Sequence, residues 1–114
     1  MKIITQRIYA PESKPGYRVL VDRLWPRGIS KTEARLDDWW KDLAPSPALR
    51  KWFDHDEEKF VLFSQKYNGE LHKKSAPARD LLLQVTKKPL ILLYGAKSES
   101  GNHALVLKEF LESL

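Results

Sequence analysis

Apolar residues along this chain fall into short dense runs and into longer stretches spaced three or four apart, and the two patterns predict different elements. Tyr17-Arg18-Val19-Leu20-Val21-Asp22 is nearly continuous in aliphatic and β-branched residues before it ends in charge, which predicts a strand buried on both faces. Pro89-Leu90-Ile91-Leu92-Leu93-Tyr94-Gly95 repeats that signature near the far end. Lys2 to Ile8 is β-rich and runs into Pro11, Ser13, Pro15 and Gly16, a strand leading into a turn-rich connection.

The helical period is clearest after Asp56-Glu57-Glu58, where negative charge suits a helix N-terminus and Phe60, Phe63, Tyr67 and Leu71 follow on one face. Ser30-Lys31-Thr32-Glu33 has the form of a capping box and opens a short helix; Ser46 before Pro47 opens another, through about Phe53. Pro77 starts a helix to about Thr86 carrying Leu81, Leu82, Leu83 and Val85. The last runs from about Asn102 to Glu112, with Ala104, Leu107, Phe110 and Leu111 on one face. Leu36 to Leu43 fits either a short strand or a helical turn; in a strand, Trp39 and Trp40 face opposite ways and at least one packs. Buried strands separated by helices predict an α/β fold. The expectation is a single compact domain over residues 1–114, a small mostly parallel or mixed sheet covered by helices, with no internal repeat or linker.

Composition narrows the chemistry. At 114 residues and 42% hydrophobic, the chain has material for one core. It has no cysteine, which excludes disulfides, thiolate nucleophiles and Cys-ligated zinc or iron–sulfur sites. His55, His72 and His103 are far apart, and Asp54-His55-Asp56-Glu57-Glu58 reads as helix capping, so neither a metal site nor a cofactor is expected. Walker, GxGxxG and GxSxG patterns are absent. The start MKIITQRIYA lacks the apolar centre of a signal peptide, and no run reaches membrane length; a cytoplasmic location without a membrane partner is expected. A formal charge of +5 favours anionic partners, either a small molecule or a nucleic acid, although many proteins carry as much charge as a solvated surface.

Ligands of open parallel sheets gather beyond the carboxyl ends of the strands. Two such ends are polar here: Asp22-Arg23 with Arg27-Gly28, and Tyr94-Gly95-Ala96-Lys97 leading through Ser98-Glu99-Ser100-Gly101 to Asn102-His103. Arg23 and Arg27 suit a bidentate grip on phosphate or carboxylate, with Pro26 and Gly28 fixing a tight turn; Lys97 and the amides at Asn102 complete an anion cradle. His103, at a helix start, is the histidine placed to exchange a proton, with Asp22 as its partner or as a separate base, whereas His55 and His72 read as loop and surface residues. The competing structural reading pairs Asp22 with Arg23 or another base and uses Trp25-Pro26 as a plug at the core edge. Leu49-Arg50-Lys51-Trp52-Phe53 either stacks on nucleic acid or, more economically, turns Trp52 and Phe53 into the core with Arg50 and Lys51 outside.

Over nearly its whole length the sequence resembles the YeaO-like proteins, a bacterial and archaeal group classed as a domain of unknown function. The resemblance rests on Arg18 to Lys31, including Asp22-Arg23-Leu24-Trp25-Pro26-Arg27-Gly28, on Trp40 to Ser46, on Leu49 to Phe53 with His55, on Leu92 to Lys97, and on Asn102-His103-Ala104. It implies a compact α/β fold and a set of motif positions, Asp22, Arg23, Arg27, Lys41, Ser46, Arg50, His55, Lys97, Asn102 and His103. Family members usually carry an acidic residue directly after the lysine equivalent to Lys97; this chain has Ser98, then Glu99, which is the candidate replacement. The expected function is an enzyme acting on a phosphate-bearing or other anionic substrate, a nucleotide or nucleic acid among them. Arg23, Arg27, Lys97 and Asn102 would bind the substrate, with Asp22 and His103 exchanging a proton. The alternatives are a non-catalytic nucleic-acid-binding module using Arg50, Lys51 and Trp52, and a structural or interaction domain whose polar runs lock its loops.

Overall fold

In a computed structural model of the chain, which describes residues 1–11 and 14–114, the dense apolar runs form one parallel sheet. The strands are β1 (Ile3–Arg7), β2 (Tyr17–Leu20), β3 (Asp38–Trp39) and β4 (Leu90–Tyr94), in the spatial order β1-β4-β2-β3. Of the predicted turn-rich connection after β1, residues 12 and 13 lie outside the described part. β4 is central: Leu90 aligns with Ile3 on one side and Tyr17 on the other, and Leu93 aligns with Gln6 and Leu20. A strand paired on both edges and covered on both faces is apolar at every position, which is why Leu90–Tyr94 shows no polar alternation.

The two faces are covered unequally. Leu90, Leu92 and Tyr94 point into the larger core, shared with helices α2 (Pro47–Phe53), α3 (Phe60–His72), α4 (Ser75–Leu83) and α5 (His103–Glu112). Ile91 and Leu93 point to the other face, which is closed by Ile8, by Ala34 of the short helix α1 (Lys31–Ala34), and by half-buried Trp25, Ile29 and Leu36. Helix starts follow the predicted caps. Ser30 Oγ accepts from Glu33 N at 3.1 Å while Glu33 Oε1 accepts from Ser30 N at 3.0 Å. Ser46 Oγ accepts from Leu49 N at 3.2 Å and donates to Glu70 Oε2 at 2.6 Å, and Ser46 N donates to Glu70 Oε1 at 2.8 Å, so α2 is tied to α3 at its first turn.

Three details differ from the sequence pattern. α4 begins at Ser75, with Pro77 inside its first turn, where a missing N–H costs nothing. It ends at Leu83, short of the expected Thr86; its inward positions are Ala78, Leu81 and Leu82, Val85 packs on the core just beyond its end, and Leu83 falls off that face and is 85% exposed. Trp52, expected to pack, is 38% exposed, with Lys59 Nζ and Lys66 Nζ each 5.2 Å from its ring centre, while Phe53 alone enters the core and stacks on Phe63 at 4.2 Å. The ambiguous stretch Leu36–Leu43 is both things in turn, β3 followed by a 3₁₀ turn at Lys41–Leu43. Trp40 is buried and Trp39 half-buried, on opposite sides as strand geometry requires.

Tyr67 is the largest fully buried side chain, and its phenol donates to Leu43 O at 2.5 Å. Burial pushes its pKa well above the ordinary 10.0, helped by the negative charges of Glu70 and Asp22 and opposed by Arg23. An acid whose folded pKa is raised contributes its full stability below the unfolded value and loses it as pH rises beyond. Unfolding free energy should therefore fall above about pH 10, by up to about 1.4 kcal/mol per pH unit. Denaturant titrations between about pH 8 and about pH 11 should show this decline in the native chain and a shallower one in Tyr67→Phe, where Tyr17 and Tyr94, also raised by burial, still contribute; the substitution costs about 1–2 kcal/mol at neutral pH by orphaning the Leu43 carbonyl.

Candidate anion-binding site

Because all four strands are parallel, the connection leaving each of them emerges at one edge of the sheet, and all four contribute to a cavity of about 260 Å³ there. Tyr9 comes from beyond β1, Asp22 to Pro26 from beyond β2, Ala44 and Pro45 from beyond β3, and Gly95, Ala96 and Gly101 to His103 from beyond β4. Arg50 and Phe53 of α2, His55 after it, and Phe63 of α3 close the remaining side.

The connections are fixed by hydrogen bonds to main chain. Trp39 Nε1 donates to Asp22 O at 2.6 Å, Tyr9 Oη to Arg27 O at 2.9 Å, Trp25 Nε1 to Ile29 O at 2.7 Å and Arg7 Nε to Ala96 O at 3.0 Å. Trp25 also meets the Trp39 ring edge-on at 5.5 Å. Asp22 to Pro26 thus line a cavity while Trp25 also plugs the edge of the smaller core.

Asp22 Oδ2 accepts from Gly95 N at 2.8 Å. A Cβ at position 95 would lie 2.9 Å from that oxygen, so glycine is what lets the carboxylate reach the amide. Asp22 Oδ1 is sealed from solvent with His103 Nε2 at 3.1 Å, although the better-directed bond of that nitrogen goes to Val21 O at 3.0 Å. Both neighbours are acceptors, which assigns the hydrogen to Nε2. Nδ1 of His103 has no partner among the described residues and is open to solvent.

Arg23 does not pair with Asp22 or Asp42. Its Nε donates to Pro45 O at 3.3 Å and its Nη2 to Ala44 O at 3.2 Å, which leaves Nη1 accessible. Among the described residues the ion pairs are Lys87–Asp37 and His103–Asp22, so the guanidiniums of Arg23 and Arg50 both line the cavity without a carboxylate partner. The other expected site residues are placed differently. Arg27 is exposed and does not line the cavity; its carbonyl anchors Tyr9, which does. Lys97 lines an adjoining cavity. Asn102 lines the first, but its amide is consumed as the cap of α5, Oδ1 accepting from Leu105 N at 3.2 Å and Nδ2 donating to Ser98 O at 2.9 Å. Arg50 and His55, given only as motif positions that the resemblance implies, also line the cavity, as does Tyr9, which the sequence did not single out. The signal for Arg50 was its position next to the inward pair Leu49 and Phe53 on α2.

Ser98 Oγ donates to Glu57 Oε1 at 2.5 Å and accepts from Gly101 N at 3.0 Å, tying the β4–α5 connection to the turn before α3. The carboxylate in this neighbourhood therefore comes from Glu57. Glu99 is exposed, and its charge acts on Tyr94, whose pKa is raised by burial first and by Glu99 second. No group of His, Cys, Asp and Glu able to hold a metal ion occurs among the described residues, and no helix there is long and apolar enough to cross a membrane.

A family model described as the inactive DUF488-N3 subclade matches residues 2–114. The chain is 46% identical to the uncharacterized protein YeaO of Escherichia coli K12 across the full length of both. The chain belongs to this family. The YeaO-like chain is also 37% identical to the uncharacterized proteins Rv3073c of Mycobacterium tuberculosis H37Rv and Mb3100c of Mycobacterium bovis, over 96% of its own length and 93% of theirs. No solved structure matches it.

The contact between Asp22 and Gly95 is open to a direct test. Gly95→Ala should push the carboxylate off the amide and cost about 1–3 kcal/mol in denaturant unfolding. The imidazole resonances of His103 should move with it, whereas Ala at Gly69, where an added Cβ meets nothing, should leave them unchanged.

Proposed function

We propose that this YeaO-like chain is a receptor for a small anionic molecule, held in the cavity at the carboxyl edge of the sheet. The observation that carries the reading is the pair of cavity-lining guanidiniums, Arg23 and Arg50, that lack a carboxylate partner among the described residues. Arg23, half-buried, attracts phosphate or carboxylate more strongly than a fully solvated arginine, Arg50 adds an exposed charge at the rim, and the fork of each matches either group bidentately. The carboxylate in the cavity, Asp22, is engaged by the Gly95 amide and the His103 ring, so its charge is partly answered. Walls of Trp25, Phe53, Phe63 and Pro45 supply apolar surface for the body of the ligand. The family description as inactive agrees with binding without turnover.

A second reading, catalysis by proton transfer, is favoured by one observation: His103 has its Nε2 hydrogen fixed by Val21 O and Asp22, and its Nδ1 is open. Nucleic acid as ligand is favoured by Trp52, 38% exposed and flanked by Lys59 and Lys66, although this aromatic and basic patch lies outside the cavity.

Thermal unfolding and titration calorimetry with inorganic phosphate, ribose 5-phosphate, AMP and a short oligonucleotide test these readings. A ligand at a hundred times its Kd stabilises the fold by about 2.7 kcal/mol, a shift of several degrees, and Arg50→Ala should lose that shift while keeping its own unfolding temperature. Absence of stabilisation by every small anion overturns the proposal. Retention of the oligonucleotide alone, falling steeply with salt, would transfer the role to nucleic-acid binding. Chemical change in a bound ligand that His103→Gln abolishes would establish the catalytic reading.

A further inference from the structure

The imidazole of His103 has one orientation that satisfies its surroundings. Its Nε2 lies 3.0 Å from Val21 O and 3.1 Å from Asp22 Oδ1, two acceptors that are themselves held in place. Val21 N donates to Leu93 O at 3.0 Å and Asp22 Oδ2 accepts from Gly95 N at 2.8 Å, so both are pinned to β4 and the connection that follows it. Turning the ring over would bring a C–H to the two oxygens and leave Asp22 Oδ1, sealed from solvent, without a donor nearby. The Tyr67 ring packs edge-on against the imidazole at 6.2 Å.

That orientation fixes the polarity of the nitrogen left over. With the hydrogen on Nε2, Nδ1 carries a lone pair that accepts and cannot donate. It has no partner among the described residues and is open to solvent. Arg23 and Arg50, which line the same cavity as His103, have the opposite character, because a guanidinium only donates. Arg23 and His103 also converge on one buried residue. Arg23 Nη2 donates to Ala44 O, next to the Leu43 carbonyl that takes the Tyr67 phenol, close enough for its charge to act on that phenol, while His103 packs on the Tyr67 ring. Asp22 and Asn102 do not supply the acceptor, since one carboxylate oxygen is sealed and the other is on the Gly95 amide, and the Asn102 amide caps α5.

Resting on the anion-receptor reading, we propose that His103 makes the cavity selective for oxyanions that keep a hydrogen: hydrogen phosphate, or the singly protonated head of a phosphate monoester, in preference to sulfate. The arginines take the negative oxygens and Nδ1 takes the remaining O–H. Sulfate has the tetrahedral shape and the charge of hydrogen phosphate but no hydrogen to give. In the same place it would set an oxygen lone pair against the nitrogen lone pair and keep water from both. A site that hydrogen-bonds a particular O–H rejects the analogue lacking it more strongly than a site that reads shape, because its own polar group is left unpaired.

The test is calorimetry with inorganic phosphate and with sulfate at about pH 8, where both are dianions, joined to nitrogen NMR of the imidazole. In the native chain phosphate should bind at least about tenfold more tightly than sulfate, a difference of about 1.4 kcal/mol. The NMR should place the hydrogen on Nε2, and phosphate, unlike sulfate, should move the Nδ1 resonance towards that of a protonated nitrogen. His103→Ala should bring phosphate down to the sulfate level. His103→Asn, whose amide oxygen can take the place of Nδ1, should keep part of the preference, and Arg50→Ala should weaken both anions together. Equal affinities in the native chain overturn the proposal, as does a preference that survives in His103→Ala or a ring protonated on Nδ1 before phosphate is added. Should His103→Ala not fold, the native affinities and the Nδ1 resonance decide alone. If neither anion binds the native chain, the anion pocket fails and this inference with it; two anions bound equally and both weakened in Arg50→Ala leave the pocket standing and reject the role of His103.

Discussion

The bond from the Gly95 amide to the Asp22 carboxylate sets the terms for everything at the carboxyl edge of the sheet. It continues the pairing of β2 with β4 by side chain after the backbone ladder ends at Leu20 and Leu93, and it holds two otherwise independent connections at a fixed distance. It also decides the charge of the cavity. With one carboxylate oxygen on the amide and the other facing His103, Asp22 is turned away from the guanidiniums. Arg23 instead binds the carbonyls of Ala44 and Pro45, dipoles that orient it without cancelling it. Had Asp22 paired with Arg23, the same residues would have made an internally neutral plug.

The rest of the edge follows from strand direction. In an antiparallel sheet these connections would divide between two ends; here all the strands deliver theirs to one. Glu70 stabilises the arrangement from a distance. By holding both Ser46 N and Ser46 Oγ it fixes where α2 begins, and therefore where Arg50, one turn later, stands relative to the cavity.

Much of this is legible in the sequence, because it depends on local rules. β4 reads as a buried strand from its unbroken apolar run, α3 from its spacing of aromatic residues, and the starts of α1, α2 and α5 from Ser30, Ser46 and Asn102. The run from Asp22 to Gly28 and the pair Asn102-His103 are legible as site material because both follow buried strands. What local rules do not carry is the placement of one element over another. Arg50 and His55 reach the cavity only because α2 crosses the strand ends, a consequence of Ser46 binding Glu70 across 24 residues of chain. Arg27 fails to reach it because Pro26 is buried and the turn after it carries the side chain outward, a direction that residue type alone does not encode. Trp52 misleads for a related reason: hydrophobicity favours the core, but on a short helix whose inward stripe is Leu49 and Phe53 it falls on the outer side.

The loop that walls the cavity is also the lid of the thinner core. Leu24 to Pro26 face the cavity, while Trp25, Ile29 and Leu36 cover Ile91 and Leu93 on the far face of the sheet. Swinging this loop outward would expose the central strand to water, so it cannot serve as a gate. Traffic into the cleft is left to the opposite bank, where Arg50 and His55 stand exposed at the rim. A ligand entering there meets its counter-charge before it meets the aromatic walls.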